Sequence, residues 1–276
     1  MKKIVLMILL LFIFYQFAFS RGLDEDELLK VKGGYRQCKV YCYGSNHERL
    51  DTSIMWLHCT NSYLPNGNQE ERIYFNSKGS IYCKWQYTYS ENGYVIKETR
   101  LDSLSRIEHW VIHKYNEAWK IIETTEYESD GSIESKSTFQ YNNHNNLTLT
   151  INFNQYDSLY YYNSYKYNQL GKLIEVVQTG DSLSQNTTTF KYNNNGNIIE
   201  SDNFFSDNVI VNKFTYKYDE DGNQIEKLWY FVHDDDVLEL SLKFKFRYDE
   251  FGNMTEEVWY DNEDLPIEKK VYFYSK

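Results

Sequence analysis

Carboxylates and cations recur at fixed places in this chain. Glu175, Glu200, Glu226 and Glu256 each follow a glycine by four residues, and Lys166, Lys191, Lys217 and Arg247 each precede a tyrosine. Two carboxyls in different environments are the machinery of glycoside hydrolysis. A glutamate repeated in every unit fits better as one half of a cross-strand charge pair on an exposed face. Trp110, Trp229 and Trp259, with Tyr230 and Tyr260, are the residues suited to stacking on sugar rings; the competing expectation is that they fill a core. His109 and His113 are four apart, so on an extended strand their side chains stand about 13 Å apart and cannot share one ion. An EF-hand loop ending at Gly222 would put Lys217 at its first ligand position, which argues against calcium at Asp219 to Gly222. No Gly-x-Ser-x-Gly elbow, phosphate-binding loop or His-Glu-x-x-His pair occurs. No cofactor or metal is therefore expected, and a non-enzymatic role is favoured.

The compartment is written at the start of the chain. Lys2 and Lys3 precede an apolar run from Ile4 to Tyr15, too short to span a bilayer comfortably, and Ala18-Phe19-Ser20 offers small residues for cleavage. Residues 1–20 are expected to be a removable signal peptide, with no transmembrane segment left after it. Cleavage takes two lysines and no acid from a chain of formal net charge -11, so the mature part is more acidic still and nucleic acid is not an expected partner. The four cysteines, Cys38, Cys42, Cys59 and Cys83, favour disulfides in an exported protein. Three pairings are open. A hairpin turning near Arg49 to Thr52 would set Cys42 against Cys59 and leave Cys38 for Cys83.

The elements that must carry these side chains are strands. In Leu240-Ser241-Leu242-Lys243-Phe244-Lys245-Phe246-Arg247-Tyr248 one face is apolar or aromatic and the other polar, the period of two that marks extended chain. Only Asp24 to Lys32, with acids first and lysines last, suits a short helix. Tyr-Asx-x-x-Gly units end at Gly171, Gly196, Gly222 and Gly252, and degenerate copies extend upstream to Phe75. In each, Asx accepts local backbone bonds and glycine supplies the left-handed residue that closes a hairpin bulge. Second turn signals fall between these units, so the chain reverses about every thirteen residues, giving about eighteen strands and a ribbon about 86 Å wide at about 4.8 Å per strand. Open twisted sheets of that width curl or split. The expected fold is all-β: a long antiparallel meander of repeated hairpins curled into an elongated coiled or barrel-like sheet. Residues 21–34 form a charged linker or short helix, 35–72 a cysteine-containing hairpin region, and 73–276 the repeat array.

The run Tyr-x-Tyr-Asp-x-x-Gly-Asn, then an apolar residue and Glu, is most complete at Tyr216 to Glu226 and, with Phe in the first place, at Phe246 to Glu256. It resembles the YD repeat of RHS proteins, a family of bacterial secreted and surface proteins whose hairpin strips spiral, sometimes into shells around toxins. The chain is too short to enclose such cargo and has no self-cleaving core segment. The resemblance implies a binding or scaffold module at the cell envelope or outside the cell, holding a glycan or another protein. Two alternatives stay open: a secreted enzyme acting on carbohydrate through the recurrent glutamates, and an accessory or immunity protein of a toxin system. The Asp-Ser-Leu turns at Ser103, Ser158 and Ser182 also look like acceptor sites of Bacteroidetes O-glycosylation.

Overall fold

The computed structural model describes residues 31–46, 49–180, 185–205, 209–232 and 237–276. The expected signal peptide and most of the expected short helix lie outside them. The strands are β1 (Gln37–Asn46), β2 (Arg49–Tyr63), β3 (Gln69–Phe75), β4 (Ile81–Tyr89), β5 (Val95–Asp102), β6 (Ile107–Tyr115), β7 (Ile121–Glu128), β8 (Ile133–Tyr141) and β9 (Leu147–Asn154). There follow β10 (Leu159–Tyr167), β11 (Leu173–Gly180), β12 (Gln185–Tyr192), β13 (Ile198–Phe205), β14 (Val209–Tyr218), β15 (Gln224–Val232), β16 (Leu238–Tyr248), β17 (Met254–Tyr260) and β18 (Pro266–Ser275). Each strand pairs antiparallel with the next, and β18 pairs with β1 from Gln37↔Ser275 to Tyr43↔Lys269, so the 18-stranded meander closes into a barrel. Closure removes both sheet edges, which a ribbon this long would otherwise expose to other chains.

The turns follow one recipe. At Asn193 the side-chain Oδ1 accepts the amides of Asn195 and Asn197, while Gly196 donates back to the Asn193 carbonyl with φ at 84°. Trp119 and Asn145 in two degenerate copies, and Ser105, Asp157 and Asp264 in the turns between the units, make the same reversal without glycine, each at a positive φ.

One rim is fastened by tyrosines. Tyr89, Tyr115, Tyr141, Tyr167, Tyr192, Tyr218, Tyr248 and Tyr274 each donate their hydroxyl to a carbonyl at the start of the preceding strand, over 2.5 to 2.8 Å. This is why Tyr precedes Asx in the repeat: it ties each turn to the one before it. Burial pushes the Tyr218 phenol up to about 12, so the donor keeps its proton. Tyr218→Phe is expected to cost about 1 kcal/mol, read from urea unfolding. The seam where β18 meets β1 is stitched by the residues before β1. Lys32 donates its amide to Asn253 Oδ1 (2.9 Å), Val31 donates to the Gly67 carbonyl, and Tyr35 packs on Phe251 and Tyr274.

The rim tyrosines define the two faces. Side chains on their face converge, leaving Cys38, Val40 and Cys42 only 1 to 3% exposed. On the other face Lys114, Lys191, Lys217 and Arg247 are 64 to 77% exposed. The tyrosine face is the inside of the ring. Outside, the recurrent charges pair across strands: Lys166 with Glu175 (3.8 Å), Lys217 with Glu226 (2.8 Å), Arg247 with Glu256 (3.5 Å), and Lys191 with Glu200. Lys213 and Lys269 add a second cation to Glu200 and Glu256. Hydrogen bonds from Lys191 and Lys213 hold the Glu200 carboxyl down at about 2. A depressed folded pKa contributes stability above the unfolded carboxyl pKa and loses it as pH falls toward 2. Lys213→Met is therefore expected to flatten the loss of stability between pH 4.5 and 2, measured by urea titrations across that window.

Candidate functional site in the interior of the ring

Counting back in twos from a rim tyrosine names the inward residues. From Tyr218 the count gives Tyr216 and Phe214; the pairing Phe214↔Trp229 and Tyr216↔Lys227 carries it to β15, and Lys227↔Phe244 to β16. Phe246↔Glu257 and Phe244↔Trp259 extend it to β17, and Glu257↔Lys270 to β18. Phe214, Trp229 and Phe244 form a buried cluster with Tyr216, Phe231, Leu242, Phe246 and Trp259 packed against it. Phe214 and Trp229 stack at 6.2 Å and 13°, whereas Trp259 meets Phe244 edge to face at 5.1 Å and 70°.

Charged groups are set into this aromatic bay. Lys227 Nζ lies 4.4 Å from the centre of Phe214, 5.8 Å from Phe244 and 5.9 Å from Tyr216. Burial draws its ammonium down to about 8, against the pull of Glu257. Glu257 is buried and accepts hydrogen bonds from Trp259 Nε1 (2.6 Å) and the Tyr272 hydroxyl (3.1 Å). Lys270 lies 3.9 Å from Glu257 and 3.1 Å from Glu268, with its Nζ 4.9 Å from the Trp259 ring. A groove of ≈ 340 Å³ opens at the rim between turns 193–197 and 219–223, and Tyr216 lines both groove and bay.

The wall from β4 to β9 is polar. His113 Nε2 lies 3.0 Å from Glu98 Oε1 and its Nδ1 3.0 Å from Thr124 Oγ1. Arg100 pairs with Glu108 at 3.0 Å, Ser135 donates to Glu126, Ser137 donates to Asn152, and His109 rests edge-on against Trp85. In an 18-membered ring β6 and β15 are nine strands apart by either route, so the polar wall faces the aromatic one.

The residues expected to stack sugars do not form one ladder. Trp229 and Trp259 are inside; Tyr230 and Tyr260 follow them in sequence and so point outward. Trp110 is also outside, stacked on Tyr127 at 5.3 Å under Lys97. Tyr260 is covered by Lys243 and Lys245. The expected disulfides are not formed, and all four thiols are free and buried. Register shifts after Val40 and Tyr43 set Cys42 against Trp56 and Cys59 against Val40, while β2 and β3 separate Cys38 from Cys83. Burial raises the Cys38 and Cys42 thiols to about 12. Ser103 and Ser158 are exposed in turns, and Ser182 lies outside the described residues. Among the described residues no cluster of His, Cys, Asp and Glu is arranged to hold a metal ion.

Lys227, Glu257, Lys270, Glu98, Arg100 and His113 were missed as interior residues by sequence reasoning, although the count from the rim tyrosines would have found them.

No protein-family model matches the chain. No curated protein matches it. Among solved structures it is similar to a porin-like protein from Bacteroides uniformis, with 10% identity, 88% of this chain and 98% of that one covered, and a TM-score of 0.48. A porin-like protein from Bacteroides vulgatus follows at 12% identity, 86% and 97% coverage and a TM-score of 0.33. The Tc holotoxin pore of Photorhabdus luminescens matches at 9% identity over 77% of this chain and 15% of that one, with a TM-score of 0.22.

Proposed function

We propose that the chain is an exported, water-facing β-barrel of YD-type repeats that binds a glycan inside the ring, without catalysis. The observation that carries this reading is the bay of Phe214, Trp229, Phe244 and Trp259 with Glu257, Lys227 and Lys270 set among the rings. Sugar rings present apolar C–H faces and a rim of hydroxyls, which aromatic planes and fixed charged groups match together. Export is supported by the Lys2-Lys3 start, the short apolar run and Ala18-Phe19-Ser20. The outer face supports water rather than lipid around the barrel. Lys213, Lys243, Lys245 and Lys269 point outward within their strands, and a lysine facing lipid at mid-bilayer costs about 2–4 kcal/mol.

A glycan array followed by tryptophan-fluorescence titration tests the proposal. Trp259→Ala is expected to weaken binding at least about tenfold, the loss of one stacked ring, while Trp110→Ala on the outer face leaves it unchanged. Circular dichroism checks that both variants stay folded. An array with no bound glycan, or a folded Trp259→Ala protein that binds as tightly as wild type, would refute the reading.

A further inference from the structure

We infer that Arg72 is an anion-binding residue, placed inside the ring to take the carboxylate of an acidic sugar, a uronic acid within the bound glycan. The inference deepens the glycan reading and rests on it for the sugar that carries the carboxylate. The position of Arg72 follows from the rim count. Tyr89 gives Tyr87, Trp85 and Cys83 on β4; Arg72 pairs with Trp85 on one side and with Asn61 on the other, and Asn61 pairs with the buried Cys38. Arg72 therefore points inward, on the strand between the aromatic bay and the polar wall. It is half-buried, so its accessible part faces the ring interior.

What sets Arg72 apart is the company its guanidinium keeps. Nε donates to Asn61 Oδ1 at 2.7 Å, Nη2 to Gln69 Oε1 and Nη1 to the Tyr74 hydroxyl, both at 3.3 Å, and the guanidinium carbon lies 5.9 Å from the Tyr74 ring centre. Asn61 and Gln69 are 5% and 0% exposed, and Gln69 Nε2 donates to the same Asn61 oxygen at 2.8 Å, which holds the cradle in place. All three acceptors are neutral. The titratable groups that act on the guanidinium most are Tyr74, Tyr87 and Cys59, and phenols and thiols carry no charge near pH 7. Among the described residues no carboxylate pairs with Arg72: Glu70 is exposed, and Glu71 accepts from Gln86 on the outer face at 3.0 Å. Lys270 and Arg100, by contrast, have Glu257, Glu268 and Glu108.

A cation drawn out of water without an opposite charge is costly, and burial works against the charged form here. Arginine keeps its proton regardless, so an entering anion is what relieves the cost. Of the five N–H donors three are used, leaving one on each Nη, and a carboxylate accepts two such bonds at once. Trp85 across the strand pair and Tyr74 beside it offer rings to a sugar face. From β17, which carries Trp259, through β18, β1 and β2 to β3 is about 19 Å at about 4.8 Å per strand. A ligand that touches both sites is therefore an oligosaccharide. The formal net charge of -11 opposes an acidic ligand at a distance, but exposed charges are screened beyond about 8 Å at physiological salt, and the charge in contact prevails.

The test is isothermal titration calorimetry with three probes: oligogalacturonate, its fully methyl-esterified form, and inorganic phosphate. The acid is expected to bind the wild-type protein at least about tenfold more tightly than the ester, the worth of hydrogen bonds to a charged group. Arg72→Gln should bring the acid down to the affinity of the ester and leave the ester as it was, while Arg247→Gln on the outer face changes neither. Arg72→Lys keeps the charge without the planar fork and is expected to fall between; it takes the place of Arg72→Gln if that variant does not fold. Equal affinity for acid and ester in wild type, or a preference unchanged in the folded variant, overturns the inference while the glycan site stands. If phosphate alone binds and is lost in the variant, the anion site stands and the sugar assignment falls. If none of the three probes binds, the inference is overturned.

Discussion

Glu257→Ala is expected to destabilise the barrel by about 3–5 kcal/mol, the range for breaking a buried charged network by removing one partner. The carboxylate is buried between β16 and β18 and accepts from Trp259 Nε1 at 2.6 Å and Tyr272 at 3.1 Å, with Lys270 at 3.9 Å. Removing it strands two donors that have given up water, each costing about 1–3 kcal/mol, and removes half of the negative charge around Lys270. Burial works to lower the Lys270 ammonium, and Glu257 with Glu268 outweighs it; without Glu257 that balance shifts. Glu257→Gln keeps an acceptor for one donor and should lose about 1–2 kcal/mol. Urea unfolding of the three proteins at pH 7 gives the ordering. An Ala variant within about 1 kcal/mol of wild type would mean that the network is solvated and holds little of the interior together. Adding Tyr272→Phe closes a double-mutant cycle, in which the two losses should fall short of additive.

Much of this architecture is legible in the sequence because it is local. The reversals at Gly171, Gly196, Gly222 and Gly252 rest on an Asx side chain and a left-handed residue within five positions. The Lys-Tyr before each turn and the Glu four residues after its glycine are the two ends of one hairpin, so a charge pair such as Lys217 with Glu226 is specified by spacing alone. Sheet width is legible by counting reversals, and width forces curvature. Closure itself is not: it depends on β1 meeting β18 across more than two hundred residues, and no short-range pattern records that pairing.

The interior was harder to foresee for a related reason. Alternation says that Trp229 and Tyr230 take opposite faces, yet their neighbourhood in sequence invites treating them as one patch. The cysteines show the other failure. A turn near Arg49 to Thr52 would set Cys42 against Cys59, but Arg49 already pairs with Asn46, and the irregularity between Gly44↔Asp51 and Tyr43↔Met55 leaves Trp56 opposite Cys42. Lys227 is the sharpest case. A lysine beside Glu226 suggests a polar face; the aromatic bay around it is assembled from Phe214 and Phe244, on the strands to either side.

Trp229 separates packing from polarity within that bay. It is 8% exposed, stacked on Phe214 and edge-on to Phe231, and its Nε1 is buried with no hydrogen-bond partner among the described residues. Trp229→Ala removes a large ring from a packed cluster and is expected to cost about 3–5 kcal/mol through lost burial and the cavity left behind. Trp229→Phe should behave differently. It keeps a ring against Phe214 and deletes the unpaired N–H, whose burial itself costs about 1–3 kcal/mol. That gain offsets the loss of the smaller ring's volume, so the Phe variant is expected to lie within about 1 kcal/mol of wild type. Urea midpoints with unchanged slopes would confirm the pair of results. If Trp229→Phe proved as damaging as Trp229→Ala, the indole nitrogen must hold a partner inside the ring, and the bay would be wetter and more polar than its rings suggest.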